Sequence, residues 1–137
     1  MSPVQAVTSA LRQYAVFSGR ASRSELWWFV GAYSAAAITA SAIDSALFVG
    51  VLGVPVTPLT FLVIAASVVP MLAVTVRRLH DSGRSGAYYF MSFIPLAGPV
   101  LLLVALCTPS DPLPNAHGAP RGGAVAGFAP GYGYQQV

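Results

Sequence analysis

Three long stretches of this 137-residue chain carry almost no charge. Residues 26–54 contain Asp44 as their one charged side chain, and residues 59–76 and 87–107 contain none. A helix needs about 20 apolar residues to cross the hydrocarbon core of a bilayer. We therefore predict an all-α membrane protein with three transmembrane helices, at about residues 26–48, 59–76 and 87–107.

The overall composition agrees with a bilayer environment. Charged residues make up 8% of the chain and hydrophobic residues 55%, whereas soluble domains are about 25% charged. The basic residues are all arginines, and they stand beside apolar stretches rather than along a solvated basic stripe. This placement favours anionic lipid headgroups over nucleic acid as their partner. The single cysteine, Cys107, excludes a disulfide within the chain.

The segments that flank the apolar stretches differ from each other. Residues 1–25 are polar to mildly amphipathic, with apolar residues near helical spacing, which predicts a short helix on the membrane surface. Residues 108–137 are rich in proline and glycine and offer little to bury, so we predict a disordered carboxyl-terminal tail. The chain thus divides into an amino-terminal segment, a transmembrane bundle over residues 26–107, and a tail.

The arginines predict the orientation, because basic residues that flank spans are retained in the cytoplasm. Three arginines precede the first span and three more separate the second span from the third. We therefore predict a cytoplasmic amino terminus and, after three spans, a tail outside. Aromatic residues open the first and third spans at the same predicted interface. The six arginines are Arg12, Arg20, Arg23, Arg77, Arg78 and Arg84.

A cleaved signal peptide is an alternative interpretation of residues 20–42. It would use Arg20 and Arg23 as its charged region and Ala40 to Ala42 as its cleavage site. Against it, the basic segment is long and the apolar stretch continues well past Ala42.

Most polar functional groups fall in residues 77–86. If the second helix continues into this segment, Arg77 and Asp81 stand at i, i+4 spacing, and Glu25 lies at the same membrane face. We predict that Glu25 pairs with a loop arginine; the alternative is a self-paired helix end whose arginines serve topology alone. The predicted cytoplasmic cluster comprises Arg20, Arg23, Glu25, Arg77, Arg78, His80, Asp81 and Arg84.

Catalytic and metal sites are weakly supported. His80, Asp81 and Ser85 have the composition of a hydrolase site, but adjacent residues on a helix diverge by about 100°. Residues 83–87 lack the final glycine of a nucleophile elbow. His117 is predicted on the opposite side of the membrane, so His80 would lack fellow metal ligands. We predict no catalytic residue, metal or cofactor.

Asp44 needs a separate explanation, because carboxylates within membrane spans are often functional. It stands about 27 Å along a helix that starts at Leu26, near the outer headgroups rather than at the bilayer centre. An interfacial position is therefore favoured over a proton or ion relay. The small residues of 35–42 suit close packing within the chain or between copies.

Two motifs resemble a known family. Residues 19–29, which include Arg20, Arg23 and Glu25, and then residues 77–86 resemble the domain-of-unknown-function 805 family of small bacterial inner-membrane proteins. The resemblance extends over about residues 11–119, and its ending at residues 110–118 is similar in looser form. It implies a multi-pass helical bundle in the bacterial inner membrane and no reaction, substrate or cofactor.

The functional hypothesis is a non-enzymatic interaction or scaffold protein. Its arginine-rich cytoplasmic face would bind a membrane protein partner or anionic lipid headgroups. The alternative is a small transporter or channel component, which would have to act as a homo-oligomer because the spans offer few polar groups to line a path.

Overall fold

The computed structural model describes residues 2–119, which form helices and no named strand. The all-α prediction is therefore confirmed for this range. A π-helical segment, Ser45–Val51, extends the second helix, and a 3-10 helix, Gly86–Phe93, precedes the fourth. The α-helices are α1 (Pro3–Arg12), α2 (Arg23–Asp44), α3 (Pro58–Asp81) and α4 (Ala97–Cys107).

Helices α2 and α3 form the long antiparallel pair of the molecule. The continuous helical segment Arg23–Val51 and the helix Pro58–Asp81 are each long and apolar enough to cross a membrane. Helix α2 begins three residues before the predicted start because the Ser22 hydroxyl caps it, accepting a hydrogen bond from the Glu25 amide at 3.2 Å. Helix α3 runs past residue 76 to Asp81 and ends before Gly83, whose φ of +74° suits a helix stop.

Asp44 connects the far ends of this pair. Its carboxylate accepts hydrogen bonds from the Leu59 amide at 3.1 Å and from the Thr60 amide and hydroxyl, both at 2.8 Å. Because the first amides of a helix lack intrahelical partners, a buried carboxylate there caps α3 and complements its dipole. Asp44 therefore has a structural role at the end of the bundle opposite the arginines.

The predicted third span over residues 87–107 is not confirmed, because these residues do not form one continuous helix. The 3-10 helix ends at Phe93, and α4 has 11 residues, or about 16 Å at 1.5 Å per residue, half of a bilayer core. Pro95 interrupts helical hydrogen bonding, and Leu96 adopts a positive φ of 64°. The chain reverses there, and α4 returns towards the end of α3, where Arg78 Nε donates to the Leu106 carbonyl at 3.0 Å.

Backbone hydrogen bonds at the tip of this hairpin, residues 86–107, satisfy three of its amides. The Ile94 amide donates to Met91 O at 3.0 Å, the Ala97 amide to Pro95 O at 2.7 Å, and the Gly98 amide to Ile94 O at 2.9 Å. Pro99 has no amide hydrogen to satisfy. These hydrogen bonds leave fewer backbone groups unpaired at the turn, where such groups would be costly in an apolar environment.

Gly98 sets the distance between the two limbs of the hairpin. A methyl group there would lie 2.2 Å from Met91 O and 2.9 Å from Ser92 O. We predict that Gly98→Ala lowers the free energy of unfolding by about 3 kcal/mol, the upper end of overpacking costs. Gly31→Ala in α2 is the control, because nothing lies within 4 Å of its Cβ position.

Thermal unfolding in detergent measures both glycine variants. Gly31→Ala should raise stability by about 0.5–1 kcal/mol, since alanine favours helices over glycine. Equal behaviour of the two variants would contradict close contact between the hairpin limbs.

The segment after α4 corrects two further predictions. The Asp111 amide donates to Asp81 O at 2.8 Å, and Asn115 Nδ2 donates to His80 O at 3.0 Å. The predicted disorder is therefore wrong for residues 108–119, and so is their placement on the side opposite the arginine loop. Residues 120–137 of the predicted tail lie outside the described residues.

The predicted short amino-terminal helix is present as α1. Ser2 and Gln5 form a reciprocal capping box at its start, and Ala6 and Ala10 are buried. Beyond its end, the Tyr14 hydroxyl donates to Ala66 O at 2.7 Å. Pro70 cannot supply the amide that this carbonyl would receive in a regular helix, so Tyr14 compensates for the proline within α3.

Candidate functional site

A buried set of five charged side chains lies where α2, α3 and α4 meet. We call it the polar clasp. Each of its residues is at most 3% exposed, although charged side chains are almost never fully buried unless they are paired. The clasp consists of Arg20, Glu25, Arg77, Arg78 and Asp81.

Glu25 and Arg77 form the first ion pair of the clasp. Arg77 Nη1 lies 3.0 Å from Glu25 Oε1, and both side chains are fully buried. Ser9 of α1 donates to the same carboxylate oxygen at 3.1 Å, and Gln13 Oε1 accepts from Arg77 at 2.9 Å. The pairing predicted from the sequence is thus present, and it ties α1, α2 and α3 together.

Asp81 is the centre of the second half of the clasp. Arg20 Nε donates to its Oδ1 at 2.8 Å, while the Arg78 guanidinium and the Ser110 hydroxyl donate to its Oδ2. Two arginines therefore share one buried carboxylate. Because buried charges need further hydrogen bonds as well as a counter-charge, the remaining guanidinium donors require acceptors elsewhere.

Backbone carbonyls of residues 106–118 supply those acceptors. Arg78 Nε donates to Leu106 O at 3.0 Å, and its Nη2 donates to Thr108 O. Arg20 Nη1 donates to Leu113 O at 3.0 Å, and its Nη2 donates to Asp111 O. These contacts hold the segment after α4 against the end of α3.

The local sequence explains how Arg20 reaches the clasp. The Ala21 amide donates to Arg77 O at 2.9 Å, and Ala21 itself is fully buried. Gly19 precedes them with a φ of +86°, a left-handed conformation that glycine adopts without strain. The chain therefore turns sharply before α2 and lays Arg20 along the last turn of α3.

A family model for proteins of unknown function, DUF805, matches residues 14–119. The chain belongs to this family. The matched range includes all five clasp residues and the segment that they hold.

Two curated relatives agree with the assignment to DUF805. Inner membrane protein YhaI of Escherichia coli K12 is 38% identical over 112 residues, which cover 80% of this chain and 89% of the relative. Inner membrane protein YhaH of the same strain is 32% identical over 111 residues, covering 79% and 88%. No solved structure gives a significant match.

Three residues of the predicted cluster lie outside the clasp. Arg23 is exposed, and its guanidinium lies 3.5 Å from Cys107 O. Arg84 is half-buried and stands over the Tyr88 ring, 5.5 Å from its centroid. His80 Nδ1 lies 3.2 Å from Gly19 O, so the neutral ring donates its proton there, because a carbonyl only accepts.

His80 also stacks on His117, contrary to the predicted placement of His117 across the membrane. The ring centroids are 3.7 Å apart and the planes differ by 2°. Parallel stacked imidazoles do not direct their nitrogens at one metal ion. Within residues 2–119 no group of three or more histidine, cysteine, aspartate or glutamate side chains could hold a metal.

Sequence reasoning missed the side chains that complete the clasp from outside both DUF805 motifs. Ser9, Gln13, Ser110 and Asn115 all contribute direct hydrogen bonds to it or to the end of α3. The looser resemblance at residues 110–118 was the one signal for the last two. Ser9 and Gln13 precede the residues that the family model matches, and nothing in their local pattern marks them.

Proposed function

We propose that this DUF805 protein is a non-enzymatic interaction protein of the bacterial inner membrane. The burial of the clasp carries this proposal. Its carboxylates and guanidiniums are at most 3% exposed and contact each other and backbone carbonyls, so they serve to hold a rigid surface together. Catalysis would require such groups to reach a substrate.

The exposed arginines are the binding groups in this proposal. Arg12 and Arg23 are exposed, and Trp27 and Trp28 are 42% and 47% exposed just below them on α2. Tryptophan favours the headgroup level of a bilayer, and arginine attracts anionic lipids. We expect this face to bind anionic headgroups, and the exposed side chains of residues 108–119, which the buried clasp holds in place, to contact a protein partner.

We also propose that the clasp end is cytoplasmic. Six of the seven arginines stand near this end, which supports cytoplasmic retention, and two relatives are named inner membrane proteins. With α2 and α3 as the spans and residues 86–107 as a hairpin, both ends of the described chain lie in the cytoplasm.

The native Cys107 tests this topology directly, because it is exposed at the end of α4. A membrane-impermeant maleimide should label it in inverted membrane vesicles and leave it unlabelled in intact spheroplasts. Val56→Cys in a Cys107→Ser background is the matched control, since Val56 is exposed in the turn at the opposite end. Labelling of Cys107 from outside the cell would contradict the proposed topology.

Crosslinking in native membranes tests the interaction itself. A photoreactive amino acid at Leu113, which is exposed in the segment after α4, should capture a heterologous protein repeatedly. Arg12→Gln with Arg23→Gln should weaken retention of anionic lipid during purification. Capture of further copies of the chain alone would instead favour the oligomeric transporter. Asp44, the one charged residue of the apolar stretches, is engaged within the chain as the cap of α3, which supports the interaction proposal over the transporter.

A further inference from the structure

The stacked histidines join two parts of the chain that could otherwise separate. His80 lies in the last turn of α3, and His117 lies in residues 112–119, the outer part of the segment held by the clasp. Two backbone hydrogen bonds between Asn115 and Gly118 form one isolated bridge that shapes this outer part, and Asn115 Nδ2 donates to His80 O at 3.0 Å. The histidine stack is therefore a direct side-chain contact between this outer part and α3, beside the hydrogen bond of Asn115.

We propose that His80 and His117 form a proton-sensitive latch, which holds residues 112–119 against α3 at neutral pH and releases them when both rings are protonated. This inference goes beyond the proposed interaction function and does not depend on it. It would let acidification of the surrounding compartment expose the end of α3.

The geometry of the stack makes protonation of both rings unfavourable. Neutral imidazoles stack favourably, but two imidazolium rings with centroids 3.7 Å apart repel each other strongly. On His80, Nδ1 already faces Gly19 O, so a second proton must go to Nε2. That nitrogen and Val76 both border the space above Gly86, where an apolar side chain offers no acceptor.

The neighbouring charged groups do not offset this repulsion. The carboxylate of Asp81, on α3, already accepts hydrogen bonds from Arg20, Arg78 and Ser110. In the segment itself, the Asp111 carboxylate accepts from the Leu113 amide at 3.1 Å. The other charged side chains near the end of α3 include Arg77 within the helix and Arg84 after it, and neither is a carboxylate that could balance two imidazolium rings.

Release would be confined to the outer part of the segment. Arg78 binds the carbonyls of Leu106 and Thr108, and the Asp111 amide binds Asp81 O. None of these contacts involves a histidine. Residues 106–111 therefore stay attached, and the Arg20 contacts to Leu113 O and Gly118 O open with the latch.

Hydrogen–deuterium exchange of the full chain in nanodiscs of zwitterionic lipid tests the latch. After correction for intrinsic exchange, the hydrogen-bonded amides of residues 112–119 should exchange at least about tenfold faster near pH 5 than near pH 8, the range in which imidazole changes charge. These are the amides of Leu113, Asn115, His117 and Gly118. The Asp111 amide serves as an internal reference and should change little. A constant exchange rate across this range would overturn the proposal.

His117→Phe is the decisive variant, because phenylalanine keeps a stacking ring and removes the charge. It should exchange like the wild type near pH 8 and lose the acceleration near pH 5. If the amides of residues 112–119 already exchange fast near pH 8 in His117→Phe, the variant His80→Gln is used instead, since glutamine can still donate to Gly19 O. Acid release in a folded variant that lacks one histidine would assign the pH response to another group and overturn the latch.

Discussion

Replacing Asp81 with asparagine should lower the free energy of unfolding by about 3–5 kcal/mol, because it leaves buried arginines without their counter-charge. Asp81 is 1% exposed and accepts from Arg20, Arg78 and Ser110. Asparagine offers one neutral acceptor oxygen, whereas aspartate offers two oxygens that share a negative charge. We expect the loss of Asp81 to loosen the turn before α2, the end of α3 and the segment after α4 together, since each contributes to its hydrogen bonds.

Thermal and denaturant unfolding in detergent micelles would measure this loss. Asp111→Asn is the matched control, because Asp111 is half-buried and its carboxylate contacts the Leu113 amide rather than an arginine. The control should change stability by less than about 1 kcal/mol, as is usual for partly exposed polar sites. Similar effects of both variants would show that Asp81 acts as one more polar residue and that the clasp contributes no special stability.

The spans that hydropathy predicts well are those whose apolar residues continue without interruption. Residues 26–48 and 59–76 lie within the observed helical segments Arg23–Val51 and Pro58–Asp81. The pairing of Glu25 with an arginine also followed from the sequence, because two spans bring both motifs to one end. A buried carboxylate at that end needs a cationic partner, and the motifs contain arginines within reach.

The hairpin could not be predicted from composition, because an apolar stretch has the same hydropathy whether it crosses a bilayer or enters and returns. Pro95, Gly98 and Pro99 were the local signal, yet prolines also occur in spanning helices as kinks. The difference lies in tertiary contacts. Gly98 allows the two limbs to touch, and Arg78 draws the end of α4 back to α3.

Residues 108–119 were misjudged for a different reason. A proline- and glycine-rich composition indicates little apolar side-chain area to bury, and disorder follows when nothing else fixes the chain. Here backbone carbonyls do the binding, as acceptors for the buried guanidiniums of Arg20 and Arg78. Because every residue has a carbonyl, no side-chain pattern identifies the residues that accept from these guanidiniums. The arginines themselves were the best indication that such acceptors are needed.

Glu25→Gln should also cost about 3–5 kcal/mol of unfolding free energy, because it removes the counter-charge of a fully buried arginine. Arg77 would keep its contact with Gln13 Oε1, but a neutral oxygen balances a guanidinium less well than a carboxylate. Arg12→Ala is the control, since it deletes an exposed arginine from α1. Equal effects of Glu25→Gln and Arg12→Ala on unfolding free energy would indicate that these charges serve membrane topology and not the stability of the bundle.

The double variant Glu25→Leu/Arg77→Met separates pairing from simple polarity. Replacing both members of a buried ion pair with apolar residues of similar size is often neutral or stabilising, whereas removing one member is costly. We therefore expect the double variant to recover most of the stability that Glu25→Gln loses. A double-mutant cycle with the single variants Glu25→Leu and Arg77→Met would show this as a coupling of about 2–3 kcal/mol in unfolding free energy between the two sites. Additive losses would mean that Glu25 and Arg77 stabilise the bundle independently, through Ser9 and Gln13 rather than through each other.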